Sequence, residues 1–253
     1  MTDQSHFWSQ AAPRYEQEFI DPYQPDVRNP LRAAVADLAD PALGIVADLG
    51  CGVGPLLPYL AEHFHHVVAV DFAEGMLIRA REACAGLKNV EFLRRGLTDL
   101  SDQKGRFDVG VAVNSLVMRD PVDLDCALRS IRESLKPGGH FLGIVPAMDA
   151  VHYFTMLLLD RASARGLPVD KARQNAAHHG EHDYYDFAFG GFTYQGLEQH
   201  FWQPFEVRYR LKRAGFRRVR MMKVLLSWSQ FGPAAQDLTD HPPPWDWFFQ
   251  AGV

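Results

Sequence analysis

Residues 46–56 read Val46-Ala47-Asp48-Leu49-Gly50-Cys51-Gly52-Val53-Gly54-Pro55-Leu56, an apolar run closed by three glycines at alternate positions. The run over 45–49 reads as a buried strand. The glycines allow positive φ and close backbone approach, and a helix N-terminus follows. Some ligands are excluded at once. A Walker loop needs Gly-Lys-Ser/Thr after its glycines, and here Gly54 is followed by Pro55 and Leu56. The dinucleotide fingerprint needs a third glycine at a place held by Pro55 or Leu57, depending on the frame, so it fails in both.

Outward from the loop, strand and helix signals alternate. Residues 67–70 form a second apolar run, with a helix over 55–64 between the two strands. Met76, Ala80, Ala83, Cys84 and Leu87 fall at helical spacing over 74–85, and Gly86 is placed to end that helix. Residues 90–93 and 107–113 read as third and fourth strands. Leu124, Ala127, Leu128, Ile131 and Leu135 draw one helical stripe, stopped by Pro137-Gly138-Gly139 before a fifth strand at 141–145. Alternation at this pitch implies right-handed crossovers in a parallel sheet. It lapses over 147–203, a stretch rich in aromatics and His with helical patches and no strand of the earlier kind. It resumes with a basic helix near 204–214, a strand over 216–226 and a last strand over 245–251. No internal repeat is visible.

Composition sets the class. The chain has 253 residues, 47% of them hydrophobic and 23% charged, an ordinary globular balance. A net charge of -5 disfavours a dedicated nucleic-acid binder. Three scattered cysteines fit neither a disulfide framework nor a zinc site, so no metal is expected. The first residues lack the basic and apolar regions of a signal peptide, and no apolar run approaches the ~18 residues of a membrane span. The expectation is a cytoplasmic protein, monomer or homodimer, with no membrane or nucleic-acid partner. The many Arg and Lys over 206–223 read as a solvated face or a basic groove for an anionic partner.

The motifs taken in order carry a resemblance. "VADLGCGVG" (46–54) resembles the first motif of class I S-adenosylmethionine-dependent methyltransferases, and "VVAVDFAEGML" (67–77) their second-strand acid and following helix start. "LTDL" (97–100) sits at the place of the adenine-contacting loop. "FDVGVAVNSLVM" (107–118) and "ALRSIRESLKPGGHFLGIV" (127–145) resemble the fourth strand and the approach to the fifth. "RLKRAGFRRVRM" (210–221) and "WDWFFQA" (245–251) fit the sixth and seventh strands. The resemblance covers roughly 40–146 and 204–251. It implies a seven-stranded, mostly parallel sheet with helices on both faces and an antiparallel last strand. It implies S-adenosyl-L-methionine as cofactor and S-adenosyl-L-homocysteine as product. Residues 1–40 become an N-terminal lid segment and first helix, 41–146 and 204–253 the cofactor-binding core, and 147–203 a helical, aromatic insertion that covers substrate.

Residue chemistry and resemblance together nominate the site. Asp71, about 20 residues past the glycines, can accept from both ribose hydroxyls, against a helix-capping role. The resemblance has Asp48 order the loop and face the cationic methionyl end, against a bracing acceptor only. Gly50, Cys51, Gly52 and Gly54 offer backbone amides, with Cys51 a small loop filler rather than a nucleophile. Phe72 and Met76 follow at the cofactor, Met76 equally suited to the core. Thr98, Asp99 and Leu100 match the adenine loop, with Asp99 also suited to a turn, and the family's acid directly after the glycine is Leu97 here. Asn114 ends the fourth strand, for cofactor contact or a strand-end hydrogen bond. Arg119 stands near a position where the family often has His.

Catalytic candidates lie outside the core: Tyr15 in "FWSQAAPRYEQEF" (7–19), and His178, His179 and His182 in "AAHHGEHDYYDF" (176–187), where Tyr184 and Tyr185 are substrate candidates. The expected reaction is in-line methyl transfer to a small, partly apolar acceptor, driven mainly by placement. Two rivals stand beside it: a catalytically silent cofactor-binding interaction module, and a nicotinamide-dependent oxidoreductase that the failed fingerprint disfavours.

Overall fold

Val46, Ala47 and Leu49 are completely buried in the strand that leads into the glycine loop, whereas the first four residues of that strand are exposed. Burial on both faces is what a central parallel strand requires. The computed structural model describes residues 2–15, 19–177, 184–194 and 197–253. In chain order the first strands are β1 (Asp40–Leu49), β2 (Phe64–Asp71), β3 (Val90–Arg94), β4 (Phe107–Val113) and β5 (Leu135–Pro146). The insertion adds β6 (Tyr184–Asp186), β7 (Gly191–Tyr194) and β8 (Leu197–His200), and the chain closes with β9 (Arg217–Leu225) and β10 (Trp245–Gly252).

The main sheet has the order β3-β2-β1-β4-β5-β10-β9. β1 to β5 are mutually parallel, and β10 runs antiparallel to both β5 and β9. The strand order reverses between β1 and β4, where open sheets of this kind bind ligands beyond their carboxyl ends. The expected seven-stranded sheet with an antiparallel last strand is present.

Helices α1 (Thr2–Ala11), α2 (Leu31–Ala36), α3 (Leu57–His63), α4 (Glu74–Ala83), α5 (Pro121–Ser134), α6 (Met148–Ala164), α7 (Val169–Ala177) and α8 (Pro204–Arg213) complete the frame. One face of the sheet packs Leu124, Leu128 and Ile131 of α5 and Val207 and Leu211 of α8 against Phe141, Phe216 and Phe249. The other packs Leu31, Leu57, Leu60 and Leu77 against Val46, Val67 and Phe248. Two apolar layers thus bury the sheet from both sides. Among the described residues, no helix is long and apolar enough to cross a membrane.

The clearest differences from the sequence reading are three. α3 starts at Leu57, because Gly54, Pro55 and Leu56 are consumed by a turn in which Leu57 N donates to Gly54 O. α5 ends at Ser134, and β5 runs through Pro137-Gly138-Gly139, with a register shift against β4 there. The insertion contains a three-stranded antiparallel sheet, β6-β7-β8, where no strand of the apolar core kind was expected. Its strands span three or four residues with much polar content, too short to show an apolar period. The insertion returns to the core through Trp202, fully buried, whose indole Nε1 donates to Leu116 O just past β4 at 2.7 Å.

The N-terminal segment is pinned. Ser9 Oγ accepts from Gly75 N at the start of α4, and Asp21 exchanges two hydrogen bonds with the Gln230 side chain. Further on, Asp26 accepts from Ser227 Oγ, and Arg28 bridges Leu225 at the end of β9. These contacts draw residues 19–28 across the carboxyl edge of the sheet.

Candidate functional site

At the end of β1 the chain reverses under tight constraint. Gly50 has φ +81, and a Cβ there would lie 2.3 Å from Ser115 Cβ, so only glycine fits. Gly52 also has positive φ, but a Cβ there would meet nothing within 4 Å. The backbone at Gly52 therefore borders open space, which is where a ligand can approach it.

Asp71 fixes this arrangement. Its Oδ2 accepts from Gly52 N at 3.0 Å and its Oδ1 from Ala73 N at 2.8 Å, so one carboxylate braces both the glycine loop and the entry to α4. Ala73 is the N-cap of α4, with no side-chain cap of its own. Burial raises the Asp71 carboxyl's pKa despite the hydrogen bonds from Ala73, Gly52 and Phe72 amides. Each oxygen keeps lone-pair capacity beyond the bond it already accepts.

A cavity of about 160 Å³ opens beside the loop, lined by Gly50, Gly52, Asp48 and Asn114 from the core and by Tyr15 and residues 19–23 from the N-terminal segment. Asp48 is buried at the end of β1, and burial, then the neighbouring charge of Asp71, pushes its carboxyl up to about 7. Asn114 has a positive φ of 50 and sends Nδ2 toward Asp246 Oδ2 at 3.5 Å. Its Oδ1 is buried without a hydrogen-bond partner. Asp246, at the start of β10, is raised to about 7 by burial, against hydrogen bonds from Asn114 and Ala147 N. Tyr15 stacks on Phe19 at 5.1 Å, and its phenol is pushed up to about 12 by burial and by Asp71, Asp21 and Asp48. A phenol at that value keeps its proton, so Tyr15 is placed to donate rather than to act as a base.

The electrostatic character is one-sided. The described lining includes two carboxylates, Asp21 and Asp48, one orphan acceptor, Asn114 Oδ1, and no Lys or Arg. A ligand end that carries positive charge and N–H donors meets these demands. A pyrophosphate would bring like charge to Asp48.

The remaining nominated residues scatter. Met76 is buried among Ala12, Val53 and Ala73, with Trp8 and Tyr15 packed against them, so here it serves the interface between α4 and the N-terminal segment. Cys51 is a buried free thiol whose pKa is raised by burial, as a loop filler would be. Phe72 offers its carbonyl to Ser5 Oγ and Arg94 Nε, both at 3.4 Å. Asp99 is exposed and accepts from the amide and hydroxyl of Ser101, the turn role. Leu100 is buried with its amide bonded to Ser130 Oγ, beside exposed Thr98. Arg119 is ion-paired with Glu198 of β8, a second tie between the insertion and the chain after β4. His178, His179 and His182 lie outside the described residues, and of Tyr184 and Tyr185 only the backbone of β6 is described. Among the described residues, no cluster of three or more His, Cys, Asp or Glu could hold a metal. Sequence reading missed Asp21, Tyr23 and Asp246. Asp246 had a signal, a lone carboxylate inside the aromatic strand "WDWFF".

Residues 46–139 match a family described as a methyltransferase domain. A demethylmenaquinone methyltransferase from Clavibacter sepedonicus is 37% identical over 97 residues, 38% of this chain and 39% of that protein. The chain spans about two fifths of the length of three matched curated relatives and a quarter of two others. Two solved structures give the fold across most of the chain. The PH0226 protein from Pyrococcus horikoshii has a TM-score of 0.60 at 21% identity, over 94% of this chain and 98% of that one. The Burkholderia thailandensis 1,6-didemethyltoxoflavin-N1-methyltransferase, solved with 1,6-didemethyltoxoflavin and S-adenosylhomocysteine, has a TM-score of 0.61 at 15% identity, over 98% and 86%.

Proposed function

We propose that this chain, whose residues 46–139 match a methyltransferase domain and whose fold is similar to that of S-adenosylmethionine-dependent methyltransferases, transfers a methyl group to a small-molecule acceptor. One observation carries the reading: a cavity at the strand-order reversal, lined by acidic and acceptor groups and free of Lys and Arg among its described residues. The residues fit S-adenosyl-L-methionine, because orphaned Asn114 Oδ1 and buried Asp48 both call for a cationic, donor-bearing ligand end. Bound there, that cofactor supplies a methyl group on a sulfonium, a good leaving group.

The chain's own residues do the rest. Asp48 and Asn114 hold the charged amino-acid end, Gly52 presents its backbone, and Asp71 accepts from the ribose while keeping the loop in shape. Tyr15 and residues 19–23 close over the cavity and exclude water. Placement of this kind can supply roughly 7–11 kcal/mol of the barrier. The insertion over 147–203, tied to the chain after β4 through Trp202 and Glu198, covers the acceptor. Where the acceptor must lose a proton, His178, His179 or His182 takes it, worth about 10²–10⁴-fold. Relatives suit small acceptors, since the Burkholderia enzyme is named for one.

The test is release of S-adenosylhomocysteine across a panel of small aromatic, quinone-like and amine acceptors, in parent and in a His178→Ala/His179→Ala/His182→Ala variant. Turnover with at least one acceptor, reduced in the variant at unchanged cofactor affinity, supports the assignment. Cofactor binding with no turnover on any acceptor favours a silent binding module instead.

A further inference from the structure

The outer edge of the main sheet carries a charge pattern that the site does not use. Residues 206–223 hold eight of the chain's 26 Lys and Arg and one of its 31 Asp and Glu, in a chain of net charge -5. Part of that charge is absorbed locally. Arg210 pairs with Glu206 and Asp125, Arg213 with Asp125, and Lys223 lies over the Trp245 ring. Lys212, Arg217, Arg218 and Arg220 are exposed and have no ion pair among the described residues.

α8 presents two stripes. Val207 and Leu211 face the core, fully buried. On another stripe Phe205, Arg208, Tyr209 and Lys212 recur at i, i+3, i+4 and i+7. Phe205 is 72% exposed and Tyr209 59%. Cations alone would be explained by β9 being an edge strand, which charge protects from pairing with other chains. The aromatic rings are not explained that way, because their exposure forfeits burial worth about 1.5–3 kcal/mol for such a side chain. Aromatic and basic residues sharing one helix face fit a lipid interface, with apolar rings at the acyl boundary and cations at anionic headgroups. Phe205 is wholly apolar and suits hydrocarbon better than the edge of a base.

We propose that the α8–β9 edge docks the protein on an anionic phospholipid surface. This departs from the expectation of no membrane partner and is compatible with the lack of a spanning helix among the described residues. Its position is functional. α8 begins two residues after Trp202, whose indole holds Leu116 just past β4, so the docked helix starts near the carboxyl end of β4, where Asn114 lines the cavity.

Co-sedimentation of the full chain with phosphatidylcholine vesicles, with and without phosphatidylglycerol, tests it. Binding is expected only with phosphatidylglycerol and weakens as salt is raised. Each cation near an anionic surface is worth about five-fold, so Lys212→Glu/Arg217→Glu/Arg220→Glu lowers partitioning by at least ~100-fold. Phe205→Ser/Tyr209→Ser weakens it at constant charge. Lys88→Glu/Lys171→Glu/Arg173→Glu, which alters exposed cations outside the edge by the same net charge, leaves binding within a few-fold. Circular dichroism and S-adenosylhomocysteine affinity stay unchanged in all variants. The proposal is overturned if the parent binds neither vesicle, if the control triple loses as much as the edge triple, or if single-stranded RNA binds where vesicles do not.

Discussion

Replacing Asp71 with Ala removes one carboxylate from two structural tasks at once. The bonds from Gly52 N and Ala73 N, at 3.0 and 2.8 Å, are both to an ionisable acceptor, and each such bond contributes roughly 1.5–3 kcal/mol. Two of them give about 3–6 kcal/mol before any offset. The offset is real, because burial raises the Asp71 pKa, so the native state bears a cost for the charge that Ala would remove. The expected net loss is therefore about 3 kcal/mol, a large share of a stability of ~5–15 kcal/mol. For a chain of this size that lowers Tm by roughly 6–12 °C. Asp71→Asn keeps one acceptor but turns an N–H donor toward the other amide, so it should fall between parent and Ala. The assay is a thermal melt of the three proteins, followed by calorimetric titration with S-adenosylhomocysteine below the lowest Tm. The titration should show at least a ~10-fold weaker affinity for Asp71→Ala. A Tm equal to that of the parent would refute the bracing role, and an unchanged affinity would refute the ribose contact.

Gly52→Ala should fold, since its Cβ meets nothing within 4 Å, at a strain cost of about 1–2 kcal/mol for the positive φ, yet lose cofactor affinity. Gly50→Ala, driven into Ser115, should fail to accumulate as folded protein, which expression and a thermal melt would show. The carboxyls of Asp48 and Asp246, both raised to about 7, hold protons in the native state that the unfolded chain has already released. Stability should thus decline as pH rises from the ordinary carboxylate range through about 7, as denaturant melts against pH would record. Binding of a cation at Asp48 has the opposite sign, so S-adenosylmethionine affinity should rise through the same window, and Asp48→Asn should flatten that rise. Trp202→Phe leaves Leu116 O without its indole donor and should cost roughly 1–3 kcal/mol, measurable by urea denaturation.

The fold was legible because β1, β2, β4 and β5 are buried on both faces and so read as continuous apolar runs, with α5 showing a single clean stripe between them. The insertion was less legible. Its strands are too short for a period to emerge, and Gly190, with φ +71 against Phe201 O, sets a turn that composition does not reveal. Within the site, Asp48, the glycines and Asn114 could be placed from strand ends alone, because the carboxyl edge of a parallel sheet collects them. The dual grip of Asp71 could not be read, since helix-cap spacing counts residues and not the return of the glycine loop. Tyr15 was visible as a motif residue, but its protonation follows first from burial and then from three carboxylates, all brought about only by folding. Asp21 and Tyr23 reach the cavity because Gln230, some two hundred residues away, fixes the segment that bears them.

The central claim is that the acidic cavity at the glycine loop takes S-adenosylmethionine and not a dinucleotide. Calorimetric titration of the full chain with S-adenosylhomocysteine and, separately, with NAD tests it most directly. The account predicts saturable binding of S-adenosylhomocysteine at micromolar level, weakened by Asp71→Ala, and no measurable heat with NAD. Tight NAD binding with no response to S-adenosylhomocysteine would contradict it.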